Sequence, residues 1–350
     1  MVESYHKTIE NQNILKLRES LRDLPLFLGE FFRGIADQTS VKTRIGYAYD
    51  LKVFFNYMAE EIQHKDIRSF TIEDIAKLKA TDISDFMEYL SYYIKQVEEK
   101  PDIAIQNHSQ GKSRKLAAVR TMFKYFYGKE KLAANPAELV SFPKISNKSI
   151  TTLEVDEIAK LLDLTESGEK LTAKQQQYHQ QTKLRDLAIM TSILGTGMRV
   201  SECIGLDIKD INFEVGAMKV VRKGGDEAIL YFGYEVAEAL EAYLEVREGL
   251  EAKEGHEDAL FLSIQNRRIT ARAVQLLVKK YSSLLTSIKK ISPHKLRSTF
   301  GTQLYEETQD IYLVASVLGH ADVNTTRKHY AKMDEMHRRK AANAVKLRKS

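Results

Sequence analysis

Ser292-Pro293-His294-Lys295-Leu296-Arg297-Ser298-Thr299-Phe300 is the stretch from which the rest of the chain can be read. Ser292 is placed as an N-cap and Pro293 at the first helical position, where its missing N–H removes no helical bond, so a helix begins here. Leu296, Phe300 and Leu304 recur at helical spacing and face a core, whereas His294 and Arg297, three apart, share a face at the helix N-terminus. That end of a helix draws anions to its unpaired N–H groups. An arginine fork offers two parallel hydrogen bonds to phosphate oxygens, and the imidazole adds a donor beside it. The pair suits a phosphate, but a lone His-x-x-Arg is more often a surface ion pair.

Upstream, Leu194-Gly195-Thr196-Gly197-Met198-Arg199-Val200-Ser201-Glu202 follows a helical run carrying Leu184, Leu187, Ala188 and Ile193. Two glycines end that helix and start another, which places Arg199 in the first turn of the new one. Glu202, three residues on, is positioned to orient its guanidinium, as it also would be in a buried structural pair. Between the two clusters, Ala217 to Val221 and Ala228 to Phe232 are rich in Val, Ile and aromatic residues and flank Arg222-Lys223-Gly224-Gly225-Asp226-Glu227. This predicts a β-hairpin with a Gly-Gly turn. A lysine at such a tip either stays solvated or reaches into a groove and donates a proton there.

Downstream, Val317-Leu318-Gly319-His320 closes one helix, and Asn324 or Thr325 caps a short next one that carries Tyr330. A phenol titrates near ~10 and is a weak nucleophile unless cations and donors surround it. Arg199, Arg297, His294 and His320 would supply them. Without that company, one tyrosine among 17 would be read as packing.

In their order along the chain, Arg199, Lys223, His294-x-x-Arg297, Leu318-Gly319-His320 and Tyr330 resemble the catalytic domain of the tyrosine recombinase (phage integrase) family over roughly residues 150 to 335. Val221-Arg222-Lys223-Gly224-Gly225 and the Ser292 to Arg297 segment look most like the XerS-type branch of the Xer recombinases. The resemblance implies that Tyr330 attacks the scissile phosphate to give a 3′-phosphotyrosyl link, so that strands are rejoined without ATP. Arg199 and Arg297 would hold the non-bridging oxygens. Lys223 would protonate the departing 5′-oxygen, His294 would assist proton transfer at the nucleophile, and His320 would donate to the phosphate. Glu202 would orient Arg199 from behind. Neither metal nor other cofactor is implied, because cationic side chains do the electrostatic work.

This chain departs from the commonest pattern twice. Tyr330 lies ten positions after His320, where many relatives have nine, so Ala321 to His329 must absorb one residue. Ser298 stands where many relatives carry a second histidine. Tyr305 and Tyr312 both precede Leu318-Gly319-His320 and so fall outside the motif order.

The chain of 350 residues is long enough for two domains, and 43% hydrophobic with 29% charged residues fits an ordinary globular protein. A single cysteine, Cys203, excludes an intramolecular disulfide and is expected as a small buried side chain. No signal peptide or membrane-spanning run is legible, which leads to the expectation of a cytoplasmic protein.

Net charge is only +5, so its placement matters more than its size. From Lys112 to Lys131 there are seven basic residues against one acidic, Glu130. Leu116, Val119, Phe123 and Phe126 mark the apolar face of the same helix. Arg44, in a helix opened by Thr39-Ser40, joins Lys112, Arg114, Lys115, Arg120 and Lys124 as expected contacts to a phosphate backbone.

The expected fold is mainly α with a small antiparallel β-sheet in the C-terminal domain, arranged as a two-domain C-shaped DNA clamp. Residues 1–135 are expected as a helical core-binding domain, with apolar periodicity at Leu24 to Phe32, Tyr47 to Met58, Ile83 to Ile94 and Leu116 to Tyr127. Residues 136–150 form the expected linker, and 151–335 the catalytic domain, opened by a Thr151/Glu154 capping box. Upstream of residue 20 a short helix at most is expected, with no separate arm-binding domain. Residues 336–350 form a basic tail that either frays or docks on a neighbouring protomer.

The leading functional expectation is a site-specific recombinase acting on double-stranded DNA at a palindromic site, dimeric on one site and tetrameric in synapsis. Its role would be chromosome dimer resolution or, alternatively, integration and excision of a mobile element. A catalytically silent architectural protein and a type IB topoisomerase-like enzyme are the other readings.

Overall fold

The computed structural model describes residues 5–95, 101–145, 151–222, 224–286, 289–320 and 322–324. The chain divides into two compact units, Met1–Asn147 and Lys148–Ser350.

Among its described residues, the regular structure of the first unit is helical apart from one short ribbon. Helix α1 (Tyr5–Leu21) is followed by α2 (Leu28–Gly34), α3 (Val41–Tyr57), α4 (Ile72–Ala76) and α5 (Ala80–Tyr89). Strands β1 (Tyr93–Lys95) and β2 (Ile103–Ile105) pair antiparallel, and α6 (Ser109–Gly128) completes the packing. Ser40 caps α3 by accepting the Thr43 N–H at 3.2 Å, as its position before an apolar run leads one to expect. The core is aromatic: Phe31, Phe54, Phe55, Phe86, Phe123 and Phe126 are all fully buried. Edge-to-face contacts such as Phe54 on Phe86, with centroids 5.1 Å apart, hold α3 against α5.

Three expectations are corrected in this unit. At the N-terminus, α1 is a helix of 17 residues, longer than the short one expected. The helix expected to run to Ile94 ends at Tyr89, and Tyr93-Ile94-Lys95 pairs with Ile103–Ile105. Aromatic and β-branched residues that fit a pleated edge find a partner strand there, and pairing outweighs the continued helical spacing. Finally, the segment expected to start the linker is folded: Pro136–Leu139 makes a 3₁₀ turn, and Ala137 and Val140 are buried in the first core.

The second unit contains α7 (Val155–Ser167), α8 (Ala173–Thr196), α9 (Val200–Gly205), a three-stranded sheet, then α10 (Tyr234–Glu248), α11 (Ala271–Leu285), α12 (Pro293–Thr308) and α13 (Ile311–Leu318). The capping box at its entrance lies one turn later than expected: Glu154 is the N-cap of α7, and Glu157 accepts its N–H at 2.9 Å. Helix α8 is central, packing on α7, α10 and α12. Its Asp186, 1% exposed, accepts from Tyr281 Oη at 3.0 Å, Lys280 Nζ at 3.2 Å and Arg185 Nη2 at 2.6 Å, which ties α8 to α11. Burial first, and the Asp186 charge second, push the Tyr281 phenol upward, so it stays a donor to that carboxylate.

The sheet has the order β3 (Ile211–Asn212), β4 (Ala217–Val221), β5 (Glu227–Tyr231), antiparallel throughout. The hairpin was expected, but β3 was not, since a two-residue strand leaves no period to detect. Val221 pairs with Glu227, and the turn between them closes through Arg222 N–H to the Asp226 carbonyl at 2.7 Å. Gly224 and Gly225 have φ of +107° and +97°, values that residues with a Cβ rarely adopt. Among the described residues no helix is long and apolar enough to cross a membrane.

Candidate active site

Helix α8 ends at Gly197, φ +66°, and the approach there is close: a Cβ on Gly197 would lie 2.3 Å from Phe300 of α12 and 2.9 Å from Leu318 of α13. Glycine therefore lets three helices converge at one point. Arg199 follows at once, as the N-cap of α9 and not inside its first turn. Glu202, 3% exposed, takes the Arg199 backbone N–H at 2.7 Å on one carboxylate oxygen and Nη1 at 2.8 Å on the other. A buried carboxylate held this way fixes both the backbone and the direction of the guanidinium.

Arg297 lies in the first turns of α12, whose N-cap is Ser292 with Pro293 first in the helix. Its side chain is buried, donating from Nη1 to the Gly197 carbonyl and from Nη2 to the Leu318 carbonyl. Arg199 Nη2 donates to the next carbonyl, that of Gly319, at 2.9 Å. A third guanidinium, Arg222, donates from Nη2 to the preceding one, Val317, at 3.1 Å. The successive carbonyls of Val317, Leu318 and Gly319 are thus each taken by a different arginine. The end of a helix leaves such carbonyls unpaired and carries partial negative charge, which is what draws cations to it.

Gly319 adopts φ +60°, and the N–H groups of Gly319 and His320 turn back to Ser316 and Ala315, at 3.0 and 2.9 Å. This left-handed closure sets where His320 leaves the helix, half-buried beside the arginines. His294, one turn before Arg297, is exposed at the start of α12. Lys223 and Tyr330 lie outside the described residues. Tyr305 is 7% exposed within a small core with Val314 and Leu318, whereas Tyr312 is exposed. Cys203 is fully buried as expected, and burial followed by the Glu202 charge pushes its thiol up to about 12.

The structure thus brings Arg199, Glu202, Arg297 and the turn carrying His320 together. Arg222 was missed in the sequence, although a second cation beside Lys223 at a hairpin tip was a signal that could have found it.

In the first unit the expected phosphate contacts separate. Lys124 is exposed, and Arg114 is largely exposed while paired to Asp50 at 2.8 Å. Lys112 donates to Ser91 Oγ at 2.6 Å, and Arg120 donates to the Glu138 carbonyl at 3.3 Å with its guanidinium 4.8 Å from the Phe142 ring centroid. Arg44 is half-buried. Lys115 needs correction: it is 6% exposed, with Nζ on Asn107 Oδ1 at 2.9 Å and near Asp50 at 3.9 Å. It lies on the apolar side of α6 next to Leu116, and burial lowers its pKa, so it serves the fold and not a phosphate backbone.

Residues 151–337 match the phage integrase family. The chain is 32% identical over 290 residues to the tyrosine recombinase XerC of Pelobacter propionicus, covering 83% of this chain and 84% of that protein. It is 31% identical over 343 residues to the XerC of Caldanaerobacter subterraneus subsp. tengcongensis, covering 94% and 89%. Among solved structures, it resembles the XerH site-specific recombinase bound to palindromic difH substrate in a post-cleavage complex. There the TM-score is 0.64 at 21% identity, over 95% of this chain and 88% of that one. The arginines gathered at the end of α13, a family match over more than half the chain and XerC relatives matched along most of its length establish that the chain belongs to the phage integrase family of tyrosine recombinases.

Proposed function

We propose that the protein is a cytoplasmic, Xer-type site-specific recombinase that resolves chromosome dimers by cutting and rejoining double-stranded DNA at a palindromic site. It would act as a dimer on one site and as a tetramer in synapsis. The observation that carries the reading is the meeting of Arg199, Arg297 and the His320 turn at the end of α13. Two guanidiniums fixed by backbone carbonyls and a buried carboxylate are preorganised cations, which stabilise charge developing on a phosphate without reorganising during reaction. A guanidinium has five N–H donors, and the Arg199 side chain is 33% exposed, so it can take up a phosphate oxygen while its anchors persist.

In this scheme the Tyr330 hydroxyl oxygen bonds to the scissile phosphorus as the bond from phosphorus to the 5′-oxygen breaks. His294 assists removal of the phenolic proton, Lys223 delivers a proton to the 5′-oxygen, and His320 donates to a non-bridging oxygen. The bond energy is kept in the phosphotyrosyl ester, and attack by a 5′-hydroxyl reverses the steps. Residues 1–135 would bind DNA as the core-binding domain, through Lys124 and Arg114 among others, and 151–335 would carry the chemistry.

Covalent trapping tests the proposal. Protein is incubated with a nicked suicide duplex bearing a palindromic site taken from near a replication terminus, and the products are resolved on a denaturing gel. A DNA-linked band from the wild type, absent in Tyr330→Phe while binding persists, is the expected result. Specific binding by the wild type without that band would falsify it.

A further inference from the structure

We propose that Arg222 is a positioning residue: it fastens the turn of the β4–β5 hairpin to the C-terminus of α13, and so aligns Lys223, its neighbour in sequence, with the site beside His320. The proposal rests on the recombinase reading above and assigns a role within that site.

Arg222 is engaged at both ends. Its backbone closes the turn, with its N–H on the Asp226 carbonyl at 2.7 Å and its own carbonyl accepting the Gly225 N–H at 3.1 Å. Its side chain is half-buried and reaches a residue 95 positions away, donating from Nη2 to the Val317 carbonyl at 3.1 Å. The guanidinium also lies against Gly319, where a Cβ would come within 2.4 Å of Nη1, 2.5 Å of Cζ and 2.9 Å of Nε. Gly319 is required by its φ of +60°, and the lack of a Cβ there is what lets the guanidinium lie flat against it.

Among the three arginines at this helix end, Arg222 has the distinct job. Arg199 and Arg297 start from the α8–α9 turn and α12, and their bonds to Gly319 and Leu318 anchor α13 without it. Arg222 connects that end to the hairpin. Removing it should leave α13 in place and release the hairpin, so that a proton donor on it loses its alignment with the leaving oxygen. Misplacing a reacting group by ~1 Å costs on the order of 10²-fold in rate.

The test compares single-turnover formation of the covalent adduct by full-length wild type, Arg222→Ala and Arg222→Lys on two nicked duplexes. One carries the ordinary scissile phosphate, and the other a bridging sulfur in place of the 5′-oxygen. When tyrosine attacks the second, the bond from phosphorus to sulfur breaks and a thiolate leaves, which needs no proton. Both variants are expected to be slowed roughly 10- to 100-fold on the oxygen substrate, with DNA affinity unchanged, and to regain most of the loss on the sulfur substrate. Lysine fails in this expectation because a point charge on a flexible stem does not reproduce a planar fork lying across Gly319. Recovery on sulfur also demonstrates a folded variant. Equal slowing on both substrates, no slowing at all, or wild-type rates in Arg222→Lys overturns the proposal while a wild-type adduct keeps the recombinase reading intact. Absence of any wild-type adduct overturns that reading and this proposal with it.

Discussion

Lys115 and Arg297 are both basic, both on helices and both buried to within a few per cent, yet they belong to different kinds of site. Lys115 has lost its water to an amide oxygen and a buried carboxylate inside a helical core, while Arg297 joins the ends of two helices, with Arg199 and Arg222 on the carbonyls either side of its own. Exchanging each of two lysines on α6 separates the roles. Lys115→Ala is expected to destabilise the first unit by about 1–3 kcal/mol, since it strips a donor from buried acceptors, in urea unfolding followed by circular dichroism. Lys124→Ala should leave stability unchanged and weaken DNA binding, measured by fluorescence anisotropy. Cys203 offers a pH test. Its thiol is held at about 12 in the folded chain, above the ordinary thiol value, so folding favours the neutral form. The resulting stability is complete below the unfolded thiol's pKa and is lost as pH rises from there toward 12. Wild type should therefore lose more unfolding free energy between pH 8 and pH 10 than Cys203→Ala does, and an alkylating reagent at pH 8 should label only the unfolded chain.

At the scale of the element, the turn Gly197-Met198-Arg199 decides whether a site forms. Its glycine is where α8 meets α12 and α13. In Gly197→Ala the left-handed backbone costs about 1–2 kcal/mol and the contact with Phe300 adds overpacking of typically 1–3 kcal/mol. A fall in stability of at least about 2 kcal/mol is expected, with slower cleavage, because Arg199 and the Arg297 anchor at the Gly197 carbonyl both move. A change in stability below half that value would show that the helix ends have room to separate. The start of α12 at Ser292-Pro293 was legible because proline at the first helical position acts locally, although the Ser292 side chain makes no capping hydrogen bond. The end of α5 was not, because what stops it is a strand ten or more residues away in sequence pairing with Tyr93–Lys95.

At the scale of the whole molecule, the two largest hydrophobic cores among the described residues, one from Leu17 to Val140 and one from Leu153 to Ile291 and Leu296, fall in different units, which indicates two units able to hold their own structure. Limited proteolysis is expected to cut first between Val140 and Leu153 and to leave two resistant fragments; early cutting elsewhere would show that one unit depends on the other. The order of the clusters around Arg199, Lys223, His294, Arg297, His320 and Tyr330 was set by residue type and spacing alone, and from it the family and the mixed fold could be read. So could the capped helix, the Gly-Gly hairpin and the buried cysteine, because each depends on neighbours a few positions apart. Which cations face inward was decided only by tertiary structure. Periodicity marks the apolar stripe of a helix, but whether a basic residue on its margin keeps its water depends on acceptors brought from far along the chain. For Lys115 these are Asn107 and Asp50, for Arg297 the carbonyls of Gly197 and Leu318, and for Arg222 that of Val317.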